Sequence, residues 1–544
     1  MARQLVWTVL SLYVATLARA SLSSLKLQGP ASLPPDASST LQPALASFSI
    51  ETAFFEEFFG NVSAPNTLSL NLLQNLKDRT GVPPEIRIGG ITADSTHWNA
   101  AQPVALSNFI DSSGALHNTT LGPAFWKSVQ LLPDGTKVIM TLDLNNLNYA
   151  GALSMATAAK QGLPANDLLS FEIGNEPDHY LNFTPQTYTS IWGTWAKNIS
   201  VALGLKEPFF QVAATAEDPI WPYDTPGASS ALDCVSALAA GANKDHVVRS
   251  CSEHTYQYSV CDPKRAAVAT LPNLVNHTRL AEYLDLWQPR IKSVRQQLGD
   301  EAFTIGEYNS VSCSGKDGIS NTFGQALWLL DTTLYAASLN VSKLYLHQGG
   351  PLALQSSTQL NHGGLSFYDM WYPVQNQNGA IQVFPSYSTY LFVAEALGQS
   401  RTQQIANLYP GRQANGSTIT TALGDQSAGQ LVAYGIWDTA TSAGKAFPSK
   451  LILLNMQIYN QTQAAAGIAR PTAQFDVTAF RKDTHSSFTT RRLQAPGADV
   501  RLGNLTTWAG QTFASGKASG GLVEGSQTSS VVTVPASEAV LLFL

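Results

Sequence analysis

Residues 168–180 read LLSFEIGNEPDHY. The run Leu168–Ile173 is short and apolar, and Gly, Asn, Pro and Asp follow it, which is the pattern of a buried strand ending in a turn. Glu176 at the tip of that strand is either an ordinary loop acid or a carboxylate that the strand exists to aim. Acids favour helix N-termini in any protein, so one such glutamate by itself decides nothing.

Seven further runs of similar character recur along the chain: SFSIET (47–52), EIRIGG (85–90), KVIMTLDL (137–144), FFQVAATA (209–216), VVRSCSEHTYQY (247–258), AFTIGEYN (302–309) and SKLYLHQ (342–348). Between them, stretches such as 185–203, 280–298 and 321–337 carry apolar residues at helical spacing. Strands alternating with helices imply parallel strands covered by helices. Eight such units predict an α/β fold, a (β/α)₈ TIM barrel. A doubly wound sheet is the alternative, but no glycine-rich phosphate loop follows the first strand. Beyond about residue 395 helical periodicity fades. Runs such as QLVAYGIW (430–437), KLILLNMQIY (450–459) and the terminal 529–544 lie between Gly, Ser, Thr and Asn turns, which predicts a C-terminal antiparallel β-sandwich domain. The expected organisation is a catalytic barrel at 46–395 and a β-sandwich at 396–544.

Bulk properties set the setting. The 544 residues exceed one hydrophobic core, and the net charge of −6 with no basic run argues against nucleic acid or an anionic membrane as partner. Arg3, the apolar Leu5–Leu17 and Ala18-Arg19-Ala20 read as a signal peptide over 1–20, so a secreted, extracellular protein is expected. Nine Asn-x-Ser/Thr triplets, at Asn61, Asn118, Asn182, Asn198, Asn276, Asn340, Asn415, Asn460 and Asn504, are glycosylation candidates in that setting. The four cysteines, Cys234, Cys251, Cys261 and Cys313, form an even set, and two disulfides are expected in an oxidising compartment. They lack the paired spacing of a zinc site, so neither metal nor other cofactor is expected.

Polar residues gather at one end of the inferred strands: Glu51, Arg87, Asn175 and Glu176, His254 and Tyr256, Glu307 with Tyr308 and Asn309, then His347 and Gln348. In a barrel those ends converge on the face that carries the chemistry. Two glutamates on strands 4 and 7 suit glycosidic bond cleavage, in which one carboxyl donates a proton to the leaving oxygen and the other attacks or stabilises the anomeric carbon. Arg87 can pair with a carboxylate and keep it ionised, and His254 and His347 are as readily core histidines as ligands.

RIGG (87–90), GNEPD (174–178), HTYQY (254–258) and GEYNSVSC (306–313) together resemble glycoside hydrolase family 79, the β-glucuronidase and heparanase family. The resemblance covers about 48–390, and the tail looks like that family's β-sandwich. It implies Glu176 as acid/base and Glu307 as nucleophile, with Asn175 on the sugar 2-hydroxyl and Tyr256 and Arg87 orienting the nucleophile. It further implies that Glu51, His254, His347 and Tyr368 line the sugar subsite, and that residues 21–45 add a strand to the sandwich. A close second carboxylate is expected to raise the pKa of Glu176.

The sequence departs from the family at one place. Ser312-Cys313-Ser314-Gly315 stands where many members have a tyrosine followed by glycines that bind the substrate's carboxylate. Ser312, with backbone amides around Ser314 and Gly315, is the expected substitute anion cradle, and Lys316 reads as a solvated loop lysine ahead of an added charge there. Cys261 and Cys313 each lie five residues beyond a strand tyrosine, above neighbouring strands, so Cys261–Cys313 with Cys234–Cys251 is the expected pairing, although two other connectivities satisfy the count. The implied activity is a retaining exo-β-glucuronidase acting on terminal glucuronic acid, or its 4-O-methyl form, in a glycan or glycoconjugate. An endo-acting heparanase-like enzyme, a neutral-sugar β-glycosidase and a non-catalytic carbohydrate-binding wall protein are the alternatives.

Overall fold

The structure is a computed structural model that describes residues 24–112, 115–181, 183–216, 219, 232–350, 365–408 and 431–544. The expected signal peptide and the sequons Asn182 and Asn415 lie outside the described residues.

Eight strands close into a barrel: β1 (Ala46–Glu51), β2 (Ile86–Gly89), β3 (Val138–Leu142), β4 (Leu168–Ile173), β5 (Phe210–Thr215), β6 (Val248–Ser259), β7 (Phe303–Ser312) and β8 (Lys343–Gln348). Each pairs in parallel with the next, and β8 returns to β1. The expected eight-stranded barrel is therefore present. The strands alternate more strictly than their apolar look implied. Phe48, Ile50, Ile86, Ile88, Met140, Leu142, Phe171 and Ile173 pack outward into the main core. The residues between them, Ser49, Arg87, Thr141 and Glu172, are buried and bond to one another. Side chains on a strand alternate faces, so the outward set meets helices and the inward set forms a polar layer across the barrel.

The helical stretch expected over 280–298 is two helices, His277–Asp285 and Gln288–Leu298. Pro289 sits in the first turn of the second, where a missing N–H costs nothing, and cannot sit inside one continuous helix. Asn276 caps the first helix by accepting from the Arg279 N–H and is 1% exposed. That overturns Asn276 as a glycosylation candidate, because a glycan on its amide nitrogen has no room. Asn198 and Asn504 are exposed, and Asn61, Asn118, Asn340 and Asn460 are half-buried.

The C-terminal region holds a larger antiparallel sheet that includes Gln403–Asn407, Leu431–Asp438, Lys450–Asn455, Glu538–Phe543 and Phe488–Gln494 in that spatial order. A three-stranded sheet of Ser24–Lys26, Thr472–Asp476 and Val531–Pro535 packs over it. Period-two alternation buries both faces of the larger sheet. Leu431, Ala433, Trp437, Leu451, Leu453, Val540 and Leu542 face the smaller sheet, whereas Val432, Tyr434, Ile436, Ile452, Leu454 and Leu541 join the barrel core. Runs such as KLILLN are therefore apolar on every residue. The helix Phe323–Ser338, caught between barrel and sandwich, is buried along its whole length for the same reason. Its Asp331 carboxylate accepts from the Tyr434 hydroxyl at 2.5 Å and contacts His277 Nδ1 at 2.8 Å, which ties the two domains through polar groups as well.

Candidate active site

The C-terminal ends of the strands surround a cavity of about 770 Å³. Glu51, Asn175, Glu176, His254, Tyr256, Glu307, Ser312, Ser314, His347 and Tyr368 line it. Arg87 lies beneath the floor, fully buried. It is the hub of the site. Its Nε and Nη2 donate to Glu172 Oε1 (2.9 and 2.6 Å), Nη1 donates to Ser49 (2.9 Å) and Glu307 Oε2 (2.8 Å), and Nη2 also reaches Asn175 Oδ1 at 2.7 Å. Glu172 balances the Arg87 charge from within β4, and Thr141 donates to it at 2.8 Å. Sequence reading missed Glu172. Its signal was a lone charge inside the apolar run 168–173, on the face of β4 that points into the barrel.

The floor glycines follow from that crowding. A Cβ on Gly90 would stand 2.3 Å from Glu51 Oε2, and its φ of +73° is the left-handed region that suits glycine. Glu51 is held by the Thr92 N–H at 2.6 Å and by His347 Nε2 at 3.1 Å.

Glu176 follows β4 after Gly174 and Asn175. Its own φ and ψ, 49° and 51°, are left-handed, and Pro177 starts the short helix Pro177–Tyr180 behind it. A non-glycine residue there costs on the order of 1 kcal/mol and persists only when its surroundings hold it. They do: the Glu176 N–H donates to the Ala214 carbonyl at 2.8 Å, the Asn175 N–H to Asp94 at 2.9 Å, and the Ala216 N–H to Asp178 at 3.1 Å. Asp94, another residue missed in the sequence, is pushed up to about 8 by burial and so stays neutral at acidic pH while it fixes Asn175 and the Leu144 N–H.

The two glutamates face each other. One carboxylate oxygen of Glu176, one of Glu307 and one ring nitrogen of His254 all lie within 4.8 Å of one another. Their environments differ. Tyr256 donates to Glu307 Oε1 at 2.7 Å, and His347 Nδ1 lies 3.5 Å from Oε2. Burial works against ionising Glu307, but the charges of His347, His254 and Arg87 and the Tyr256 hydrogen bond pull its pKa down to about 2. Burial also opposes ionisation of Glu176, and Glu307 repels it, as expected. The hydrogen bond from His254 Nδ1 at 3.0 Å and the charge of His179 outweigh both, and the pKa of Glu176 falls below its ordinary value of 4.5. The expected rise is thus corrected: His254 and His179 outweigh the neighbouring carboxylate. The two histidines were not counted against the neighbouring carboxylate.

Glu176, His254 and Glu307 also form a cluster of metal-ligating residue types. Their donor atoms already serve one another, Tyr256 and Arg87, and the guanidinium on Glu307 repels a dication.

Beyond Glu307, Cys313, Ser314 and Gly315 take positive φ of 62°, 75° and 78° in succession. The disulfides are Cys261–Cys313 and Cys234–Cys251. The expected anion cradle differs in its parts. Ser312 and Ser314 line the cavity, but Gly315 does not. The Gly315 N–H donates to the Val311 carbonyl and the Lys316 N–H to Ser320 Oγ, while Lys316 Nζ donates to the Ala266 and Ala269 carbonyls at 3.1 and 2.9 Å. Lys316 is a strap between loops, not a cation in the cavity.

A closed (β/α)₈ barrel with a β-sandwich behind it, and two carboxyls facing across a sugar-sized cavity, define a glycoside hydrolase. Residues 433–541 match the glycosyl hydrolase family 79 C-terminal beta domain. Over 400 residues the chain is 32% identical to a beta-glucuronidase of Aspergillus niger, covering 70% of this chain and 69% of that one. It is 27% identical over 507 residues to a beta-glucuronidase of Neurospora crassa, covering 86% and 84%. The chain belongs to glycoside hydrolase family 79. Its fold is shared with a 4-O-alpha-L-rhamnosyl-beta-D-glucuronidase from Fusarium oxysporum 12S, solved as a Rha-GlcA complex. That match has a TM-score of 0.75 at 24% identity and covers 96% of this chain and 100% of that one.

Proposed function

We propose that this protein is a secreted, retaining exo-β-glucuronidase that releases terminal β-linked glucuronic acid, plain or 4-O-methylated, from a glycan or glycoconjugate. The observation that carries the reading is that one carboxylate oxygen of Glu176 and one of Glu307 lie within 4.8 Å of each other. Double displacement works with carboxyls about 5–5.5 Å apart, whereas an inverting water needs about 6.5–9.5 Å. The asymmetry of the pair supports one division of roles. Glu307, held ionised, attacks the anomeric carbon as Glu176 gives its proton to the leaving oxygen. The resulting ester removes the Glu307 charge, and Glu176, now a carboxylate, takes a proton from the water that attacks the ester. Asn175, fixed by Arg87 and Asp94, is the contact for the 2-hydroxyl. The sugar specificity rests on the named beta-glucuronidases. Export rests on the leader at 1–20 and two disulfides, and no helix among the described residues is long and apolar enough to cross a membrane.

The neutral-sugar reading draws on one observation, the engaged amides of Gly315 and Lys316. One assay separates the two. p-Nitrophenyl β-D-glucuronide should be preferred over the β-D-glucoside by about a hundredfold or more in kcat/KM, a loss of about 2.7 kcal/mol for the wrong substrate. Preference for the glucoside refutes the uronic acid. For the mechanism, Glu307→Ala with azide should give the α-glycosyl azide and Glu176→Ala the β-anomer, because azide replaces the nucleophile in one and attacks the glycosyl ester in the other.

A further inference from the structure

We propose that Arg265 binds the carboxylate of the uronic acid. The proposal rests on the glucuronidase reading and supplies the cation that reading needs.

The orientation of the sugar follows from the groups around Glu307. A pyranose C1 has C2 on one side and the ring oxygen, which carries C5, on the other. Asn175 meets Glu307 through Arg87, on the Oε2 side, and Tyr256 holds Oε1. With the 2-hydroxyl at Asn175, the ring oxygen and C5 lie on the Tyr256 side, and the C6 carboxylate projects beyond Tyr256. Arg265 is there. Its Nη2 donates to the Tyr256 main-chain carbonyl, and the residue lines the cavity with Ser312 and Ser314.

The other arginine and lysine near the site, Arg87 and Lys316, do not reach the cavity. Among the described residues that line the cavity, Arg265 is the one Arg or Lys. Arg87 is committed to Glu172, Ser49, Glu307 and Asn175 below the floor, and Lys316 to the carbonyls of Ala266 and Ala269. A substrate carboxylate entering beside Glu51, Glu176 and Glu307 meets three carboxyl groups, and a guanidinium beside it offsets that repulsion. Five N–H donors in a planar fork let one guanidinium serve the Tyr256 carbonyl and a carboxylate together.

Arg265 is also held in place. Asp262 accepts from the Lys264 and Arg265 N–H groups at 2.7 and 2.9 Å, which starts the helix Pro263–Val268, and the Cys261–Cys313 disulfide ties that segment to the end of β7, six residues past Glu307. The chain thus places a side-chain cation beside the end of β7, where Ser312-Cys313-Ser314-Gly315 replaces the tyrosine and glycines of many members.

Arg265→Gln keeps a donor for the Tyr256 carbonyl and removes the charge. It should lower kcat/KM for p-nitrophenyl β-D-glucuronide about ten- to a hundredfold, as expected for losing a charged hydrogen bond. The β-D-glucoside should stay within about threefold of wild type, because its C6 hydroxyl needs no cation. Arg265→Lys should recover part of the glucuronide rate. Should the glucoside turn over too slowly, the inhibition constants of free glucuronic acid and glucose carry the same comparison. Equal loss on both substrates, or an unchanged glucuronide rate, overturns Arg265 as the uronate ligand. A wild-type enzyme without glucuronide preference overturns the substrate reading itself, and this proposal with it.

Discussion

Replacing Tyr256 by Phe removes one hydroxyl and leaves the ring, its packing 6.2 Å from Tyr368, and the main-chain carbonyl that Arg265 holds. That hydroxyl donates to Glu307 Oε1 at 2.7 Å and stabilises the ionised nucleophile. A hydrogen bond to a charged group contributes about 1.5–3 kcal/mol. At about 1.4 kcal/mol per pKa unit, its loss raises Glu307 by about one to two units. The nucleophile starts at about 2, so it moves to about 3–4. The sign is that of a carboxyl losing a partner of its charged form: protonation, and with it loss of attack, begins at higher pH. The assay is the pH profile of kcat/KM on p-nitrophenyl β-D-glucuronide, which reports the free enzyme. Wild type should hold its rate down to about pH 3, whereas Tyr256→Phe should lose it between about pH 4 and 3, with the alkaline limb in place. Superimposable acid limbs after scaling would refute the assignment of Tyr256 to Glu307 ionisation.

Glu176→Ala and Glu307→Ala should each lose about a thousandfold or more in turnover, with thermal midpoints near wild type; near-native rates in either would remove it from the mechanism. His254 lowers the pKa of Glu176, so His254→Ala should raise it and move the alkaline limb of kcat/KM upward; a downward move would mean that His254 does not stabilise the carboxylate. Wild type should be most active under acidic conditions, and its alkaline limb should lie higher in kcat than in kcat/KM, because bound sugar excludes water from Glu176. Cys261→Ala with Cys313→Ala opens a loop of separation 52 and should lower thermal stability, by up to about 4 kcal/mol on chain entropy. It should raise KM for the glucuronide more than it lowers kcat; the opposite split would place the bridge in transition-state support.

The sequence by itself determined the eight strands, their order and the carboxylates near their C-terminal ends, because short apolar runs closed by turn residues are local properties written along the chain. Glu176 and Glu307 were legible for that reason, one three residues past β4 and the other within β7, on strands whose ends must converge in a barrel. Tertiary structure alone decided what each charge meets. Glu172 is a partner of Arg87 only because β2 and β4 flank β3 and both turn these side chains into the barrel, and Asp94 reaches Asn175 only through the 3-10 turn Ile91–Ser95, which no spacing predicts. The same applies to groups that look available in sequence and are not. Asn276 is a buried helix cap, Gly315 and Lys316 are occupied by their own loops, and the pKa of Glu176 answers to His254 and His179 more than to its carboxylate neighbour. Hydrogen bonding and electrostatics act through space over a few ångströms, between residues that the sequence separates by tens to hundreds of positions. The pattern of the chain therefore specifies where side chains point, and the closed barrel decides which of them share a site.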